Sequence, residues 1–343
     1  MKAERQSSAS ILEGMQFRMR LLRNGLERVL AAWERMSGSW LTYHARPKRA
    51  DDCGIASDVV PSLPSLAVVM QGPVVKRDDF TLDTMRLYTR LFPGARLVLS
   101  TWKSEDAASL DRFRAAGVDV ITSDPPATPG QQNFNYQLVS SQAGLAHAAS
   151  AGVDYAIKTR TDQRMYGVNI HAMLMSMLRA FPLVAAGKQR ERLIGASTGT
   201  FACRLYGMTD MFLFGQIDDM LLYWGAPLCE TRVPEVKGPR TWRETSRDCV
   251  CEVYLATEFL KATGHEPKWT LEDSWRAFAA RFAIVDGEDL DLYWPKYERF
   301  REFRRRSYSG ERMDRWLTFQ EWLMMYTGQA FEGGVPEHLL DVV

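Results

Sequence analysis

The chain is predicted to fold as an α/β protein: a mostly parallel sheet flanked by helices, with helical extensions at both ends. Three observations predict it. Short apolar runs alternate with longer helical patterns through residues 66–160, and strands separated by helices pair in parallel through right-handed crossovers. Each run ends in polar or turn-forming residues. The 343 residues, 46% hydrophobic and 25% charged, suffice for a core that needs no staples.

The elements follow in order. Ile11, Met15, Met19, Leu22, Leu26, Val29, Trp33 and Met36 recur at steps of four and three, a helix with one apolar stripe. Residues 1–50 hold ten Lys/Arg against four Asp/Glu. Two roles fit residues 11–36: packing on the body or on a second copy, or peripheral contact with an anionic inner membrane face. A Pro-containing linker, "SDVVPSLPS" (57–65), follows. "LAVVM" (66–70) is a buried strand stopped by Gly72 and Pro73; 78–92 is a helix; "RLVLS" (96–100) is a strand. Residues 104–117 form a helix from Ser104 to Gly117, and "VDVIT" (118–122) is the third strand. The Pro-rich loop 123–132 leads into a helix over 133–150 with Asn133 as candidate cap. "DYAIKTRTDQR" (154–164) opens as the fourth strand. Beyond it, 193–198 and 210–215 read as strands, 217–224 and 246–264 as helices, and 281–287 as a late strand. From Tyr297 the tail is helical and basic. The predicted organisation is an N-terminal segment and linker (1–64), a central domain (65–300) and a basic C-terminal tail (301–343).

Composition excludes several classes. A net charge of +1 gives no nucleic-acid signature. Cys53, Cys203, Cys229, Cys249 and Cys251 are scattered without a C-x-x-C pair, which predicts reduced thiols, a cytosolic setting and no zinc. No apolar stretch of about 18 residues occurs, and the polar opening residues Met1 to Ser10 lead to the expectation of no signal peptide. The glycine fingerprints of dinucleotide and P-loop proteins, the G-x-S-x-G elbow and any histidine metal pattern are absent.

Ligands on parallel sheets bind beyond the carboxyl ends of the strands. Gln71, Gly72 and Pro73, Ser100, Thr101 and Trp102, Ser123 to Pro125, and Thr161 with Asp162 all fall there. This rim of amides, hydroxyls and guanidinium groups suits sugar hydroxyls and a diphosphate. Many nucleotide-sugar transferases end the fourth strand in Asp-x-Asp, which holds a cation on the donor. The triplet here is Arg160-Thr161-Asp162. Arg cannot ligate a metal but pairs bidentately with phosphate. Lys158, Arg160 and Arg164 are therefore candidates to neutralise a departing diphosphate; local ion pairing at a solvated strand end is the alternative. Trp102 suits stacking on a ring, or a core position. Asn133, Asn135 and Gln137 are candidate nucleotide contacts. Asp210 either positions a sugar hydroxyl or ends a turn.

"VVMQGPV" (68–74), "YTRLFPGARLVLSTW" (88–102), "SDPP" (123–126), "NFNYQLVSSQAGL" (133–145), "AIKTRTDQR" (156–164), "TDMFLFGQIDDMLLYW" (209–224), "CEVYLATEFL" (251–260) and "YWPKYE" (293–298) together resemble the WavE lipopolysaccharide-synthesis family over residues 66–300. The resemblance implies a GT-A-like (Rossmann-like) glycosyltransferase domain acting in surface-polysaccharide synthesis, with Gln71 and Gly72 near the nucleotide. Asp162 would be the remnant of the metal motif. It would hold Mg²⁺ or Mn²⁺, or Arg160 would replace the ion. Tyr136 stands where the family carries a basic residue. An inverting transferase needs a carboxylate base; Asp218, Asp219 and Glu252 are the candidates, with helix N-terminal charge complementarity as the competing role.

The expected activity is transfer of a sugar from a nucleotide-sugar donor to a lipopolysaccharide or capsular glycan, on a lipid-linked or oligosaccharide acceptor, at the cytoplasmic side. The alternatives are a non-catalytic nucleotide- or glycan-binding subunit of an assembly complex and, third, a sugar-phosphate transferase.

Overall fold

The computed structural model describes residues 22, 24–55, 62–184, 187–230, 238, 240–247, 250–295 and 316–341. The chain divides into two compact units, Met1–Ala45 and Arg46–Val343. In the first, α1 (24–37) is followed by an irregular segment that returns along it. The Tyr43 hydroxyl donates to Glu27 (3.0 Å) and the Leu41 N–H to Glu34 (3.0 Å).

The second unit is built on a seven-stranded, mostly parallel sheet flanked by helices, the α/β class expected. Its strands are β1 (Leu66–Gln71), β2 (Arg96–Trp102), β3 (Asp119–Ser123), β4 (Tyr155–Arg160), β6 (Leu193–Ala196), β7 (Leu213–Gln216) and β8 (Phe282–Val285), in the order β3-β2-β1-β4-β7-β6-β8. β1 pairs parallel to β2 and β4, β2 to β3, and β6 to β8. Only β7 opposes its neighbours β4 and β6. β5 (Arg164–Met165) and β9 (Leu292–Tyr293) form a separate antiparallel pair.

Helices α2 (Phe80–Leu91), α3 (Ala107–Ala115), α4 (Phe134–Ser150) and α5 (Ile170–Ala180) accompany the first strands. Then come α6 (Ile217–Trp224), α7 (Trp242–Arg247), α8 (Cys251–Ala262), α9 (Leu271–Arg281) and α10 (Phe319–Thr327). β1 is buried along its whole length, as expected of a central parallel strand covered on both faces. α4 approaches the sheet closely because it presents Ser140, Ser141, Gly144 and Ala148, all buried. A Cβ at Gly144 would lie 2.5 Å from Val69 Cγ1 and 2.9 Å from Ser100 Cβ.

Several boundaries differ from expectation. α3 is capped by Asp106, which accepts from the Ser109 N–H (2.8 Å), rather than by Ser104. The helix expected over 246–264 is two, since Val250 is extended before α8. α5 and α9 went unpredicted, although Thr270 caps α9 at the Asp273 N–H.

The domain limits also shift. Residues 46–53 belong to the body: the Ala50 N–H reaches Asp83 Oδ2 (2.7 Å), and Arg90 donates to the Ala50 and Cys53 carbonyls. At the other end, Trp322 of α10 is fully buried and donates its indole N–H toward the Phe282 carbonyl (3.0 Å). Residues 316–341 are thus part of the core rather than a tail. The arginine run 304–306, with the rest of 296–315, lies outside the described residues, as do Ile11, Met15 and Met19 of the predicted stripe.

Candidate functional site

The carboxyl edge of the sheet holds a cleft of about 890 Å³, lined by Gln71, Gly72, Pro73, Val75, Arg77, Trp102, Gln132, Asn133, Tyr136, Gln137, Arg160, Thr161, Asp162 and Pro295. Three strand ends build it. The ladders of β1 continue past the strand on both sides, the Thr161 N–H after β4 donating to the Gln71 carbonyl (3.0 Å) and the Gly72 N–H to the Ser100 carbonyl of β2 (3.1 Å). Gly72 sits at φ +121°, and a Cβ there would lie 2.8 Å from Thr161 Oγ1; only glycine serves at this turn. The Thr81 hydroxyl fastens the floor by donating to the Thr161 carbonyl (2.9 Å) and accepting from the Val75 N–H (2.9 Å). Gln71 accepts from the Ser140 hydroxyl of α4 (2.9 Å).

Arg160 is the cation at the cleft floor. Its Nε and Nη2 grip both oxygens of Asp162 at 2.9 and 3.0 Å, and its guanidinium lies 5.5 Å from the Trp294 ring centre. Burial opposes its charge, but Asp162 outweighs that and holds its pKa above the ordinary value. On the wall, Trp102 meets Tyr136 edge to face at 5.2 Å. Asn133 is left-handed (φ 64°) at the start of α4 and makes no capping bond with its side chain; that side chain lines the cleft instead.

The other two cations expected here are elsewhere. Lys158 is fully buried one pleat below Arg160. Its ammonium donates to the Asp210 carbonyl, sits 4.3 Å over the Trp224 ring, and is pulled down to about 7 by burial. Arg164 is 1% exposed. It spends its guanidinium on Thr84 Oγ1, the Lys48 and Phe80 carbonyls and the Tyr166 hydroxyl. Neither lines the cleft. Thr101 is buried on the face of β2 opposite Ser100, and Asn135 is a buried clamp on Thr128 and on the Cys229 backbone.

Asp218 and Asp219 lie at the opposite edge. β7 runs antiparallel, so its end, Gln216, pairs with Tyr155 at the beginning of β4. The turn that follows therefore opens at the amino edge of the sheet. There Asp218 forms an exposed pair with Arg190 (2.6 Å), and Asp219 accepts the Arg190 and Glu191 N–H groups (2.9 and 2.8 Å).

Glu252 stays with the cleft's neighbourhood through Asp210. The Asp210 carbonyl accepts from both Lys158 and Gln137 (3.1 Å for the latter), which ties it to the cleft wall. Its carboxylate lies 3.7 Å from the Cys251 thiol at the start of α8. The next residue, Glu252, pairs with Arg204 at 3.5 Å. Burial, then the Asp210 charge, push the Glu252 carboxyl up to about 7; the same two causes raise the Cys251 thiol above its ordinary value. Arg204 itself lies 4.4 Å over the Phe201 ring and 5.3 Å from the Trp242 ring centre. Sequence reasoning missed Arg77, Gln132 and Arg204. Arg77 carried a signal, since a basic residue in the loop after β1 faces the same rim; Arg204 carried none.

Asp162, the residue expected to hold a diphosphate-bridging cation, has both oxygens on Arg160. Among the described residues no three His, Cys, Asp or Glu side chains converge as a metal site.

The fold is an α/β one built on a mostly parallel sheet, and a cleft lined by Arg77 and Arg160 opens at the carboxyl edge of that sheet. Residues 66–332 match the family described as WavE lipopolysaccharide synthesis, most of the chain, and the protein belongs to that family. Among solved structures it is similar to one described as mannose-1-phosphate geranyltransferase from Thermus thermophilus. The identity is 16% over 39% of this chain and 41% of that chain, with a TM-score of 0.25. No curated protein matches the chain. No described helix is long and apolar enough to cross a membrane.

Proposed function

We propose that the protein is a glycosyltransferase that moves a sugar from a nucleotide-sugar donor onto a lipid-linked lipopolysaccharide or capsular glycan at the cytoplasmic face of the membrane. The observation that carries this is Arg160, held rigid by Asp162 on the floor of a cleft lined by amides, aromatic edges and a second cation, Arg77. With Nε and Nη2 committed to Asp162, Nη1 makes no hydrogen bond to another described residue and is the donor left for a phosphate oxygen. Asp162 then orients the guanidinium rather than a metal. Trp102 and Tyr136 suit the base or ribose, and Asn133 and Gln137 suit polar contacts to it.

In the transfer, the bond between the anomeric carbon and the phosphate oxygen breaks and its electron pair leaves with the nucleoside diphosphate. The acceptor oxygen bonds to that carbon, and its proton passes to Glu252. Arg160 and Arg77 stabilise the charge that develops on the leaving group.

The test is nucleotide release from a panel of nucleotide sugars, with and without chelator. Wild type turns over at least one donor and keeps its rate in chelator. Arg160→Ala loses about 10²–10³-fold in kcat, the usual cost of removing one preorganised charge-stabilising donor. Loss of all activity in chelator would return the metal role to Asp162. Tight nucleotide binding without turnover of any donor would indicate a binding subunit, for which the missing first carboxylate of Asp-x-Asp is the favouring observation.

A further inference from the structure

The first unit presents a surface that the cleft does not explain. Leu22, Leu26, Val29, Trp33 and Met36 fall on one stripe of the helix containing α1 and are 70, 43, 66, 41 and 81% exposed. Trp40, beyond the helix, is 92% exposed, with Leu41 and Tyr43 also exposed. At 3.6 residues per turn, Glu27 and Glu34 lie about a third of a turn from this stripe. Both are engaged by the returning chain at Tyr43 and Leu41. The return therefore covers the acidic side of the helix and leaves the apolar side open. Exposed Arg28 and Arg35 occupy the remaining side.

Charge selects the occupant. The first 50 residues carry ten Lys/Arg against four Asp/Glu in a chain whose net charge is only +1. Two copies meeting along this stripe would bring two such cationic segments together. An anionic lipid surface neutralises them, and Trp and Tyr favour the headgroup boundary. We propose that α1 docks the protein on anionic lipid by burying this stripe in the membrane interface. The proposal supplies a lipid-surface partner and stands independently of the transfer reading, because it is read without donor.

The test uses the full chain and vesicles of phosphatidylethanolamine and phosphatidylglycerol at about 3:1. Sedimentation with these vesicles is expected. Affinity should fall about tenfold on phosphatidylcholine alone, or at high salt. Trp33→Glu should weaken binding to the anionic vesicles about tenfold, with an unchanged thermal melt and unchanged donor turnover on a soluble acceptor. No sedimentation of wild type, or equal sedimentation of Trp33→Glu, overturns the proposal. So does a dimer in light scattering that Trp33→Glu converts to monomer, which would assign the stripe to a second copy.

Discussion

Of the cations spaced along residues 158–164, depth decides which one reaches the cleft. Lys158 and Arg160 share a face of β4, yet one lies under Trp224 and the other at the cleft floor. Alternation in a strand reveals the shared face; it does not reveal where the covering helix ends. Arg164 was legible as a cation but not as the buried anchor of Lys48 and Phe80 carbonyls, because those partners are distant in sequence. Glu252 was legible only as an acid near a helix start. Its environment makes it the base candidate, with a carboxyl raised to about 7. A base must be deprotonated, so kcat/KM of the wild type should climb as pH rises toward 7 and level off above it. Glu252→Gln should remove that limb and most of the rate, a loss of about 10²–10⁴-fold. Stability moves the opposite way. The folded pKa exceeds the ordinary carboxylate value, so between about 4.5 and 7 the native state holds the extra proton and wild type loses stability with rising pH. Glu252→Gln should therefore gain relative stability above pH 7 in denaturant titrations. A rate profile left intact by the substitution would remove Glu252 from the mechanism.

Among the elements, the parallel half of the sheet was readable and the direction of β7 was not. β1 to β4 alternate with helices, and that pattern forces parallel pairing. Between β6 and β7 no short hairpin turn marks a reversal, so the apolar run of β7 gives no direction. One reversed strand carried Asp218 and Asp219 to the wrong edge in the sequence reading. Their roles now separate by experiment. Asp219, 1% exposed, clamps two backbone N–H groups that connect to β6. Asp219→Ala leaves both unsatisfied and should cost about 1–3 kcal/mol in chemical denaturation. Asp218→Ala removes only an exposed ion pair and should change stability by less than about 1 kcal/mol. Neither should alter kcat of the folded enzyme. A large kcat loss in Asp218→Ala with native stability would bring the amino edge back into the reaction.

At the scale of the whole molecule, the ends of the second unit follow from packing rather than from composition. The basic, amphipathic N-terminus looked separable through residue 64, but Pro47, Lys48 and Ala50 already bond to the body. The Tyr166 hydroxyl donates to the Pro47 carbonyl (2.7 Å), Arg164 to the Lys48 carbonyl (2.6 Å), and Asp83 receives the Ala50 N–H. Removing residues 1–45 should therefore leave a folded protein that turns over donor with a soluble acceptor. Removing 1–53 strips these partners from Arg164, Tyr166, Asp83 and Arg90. The Arg164 guanidinium and the Asp83 carboxylate are buried, and each lost charged hydrogen bond costs about 1.5–3 kcal/mol. Against a stability of about 5–15 kcal/mol, losing several at once should lower the melting temperature steeply. The C-terminus is the sharper case. Truncation before residue 316 deletes α10 and uncovers the surface of β8 and α9 on which the fully buried Trp322 sits. Fully burying one large apolar side chain is worth about 1.5–3 kcal/mol, and Leu317, Met325 and Leu340 leave with it. That truncation should fail to give a cooperative melt, although the cleft residues all lie before 296. A folded, active 1–315 protein would show that the C-terminal segment is an appendage after all.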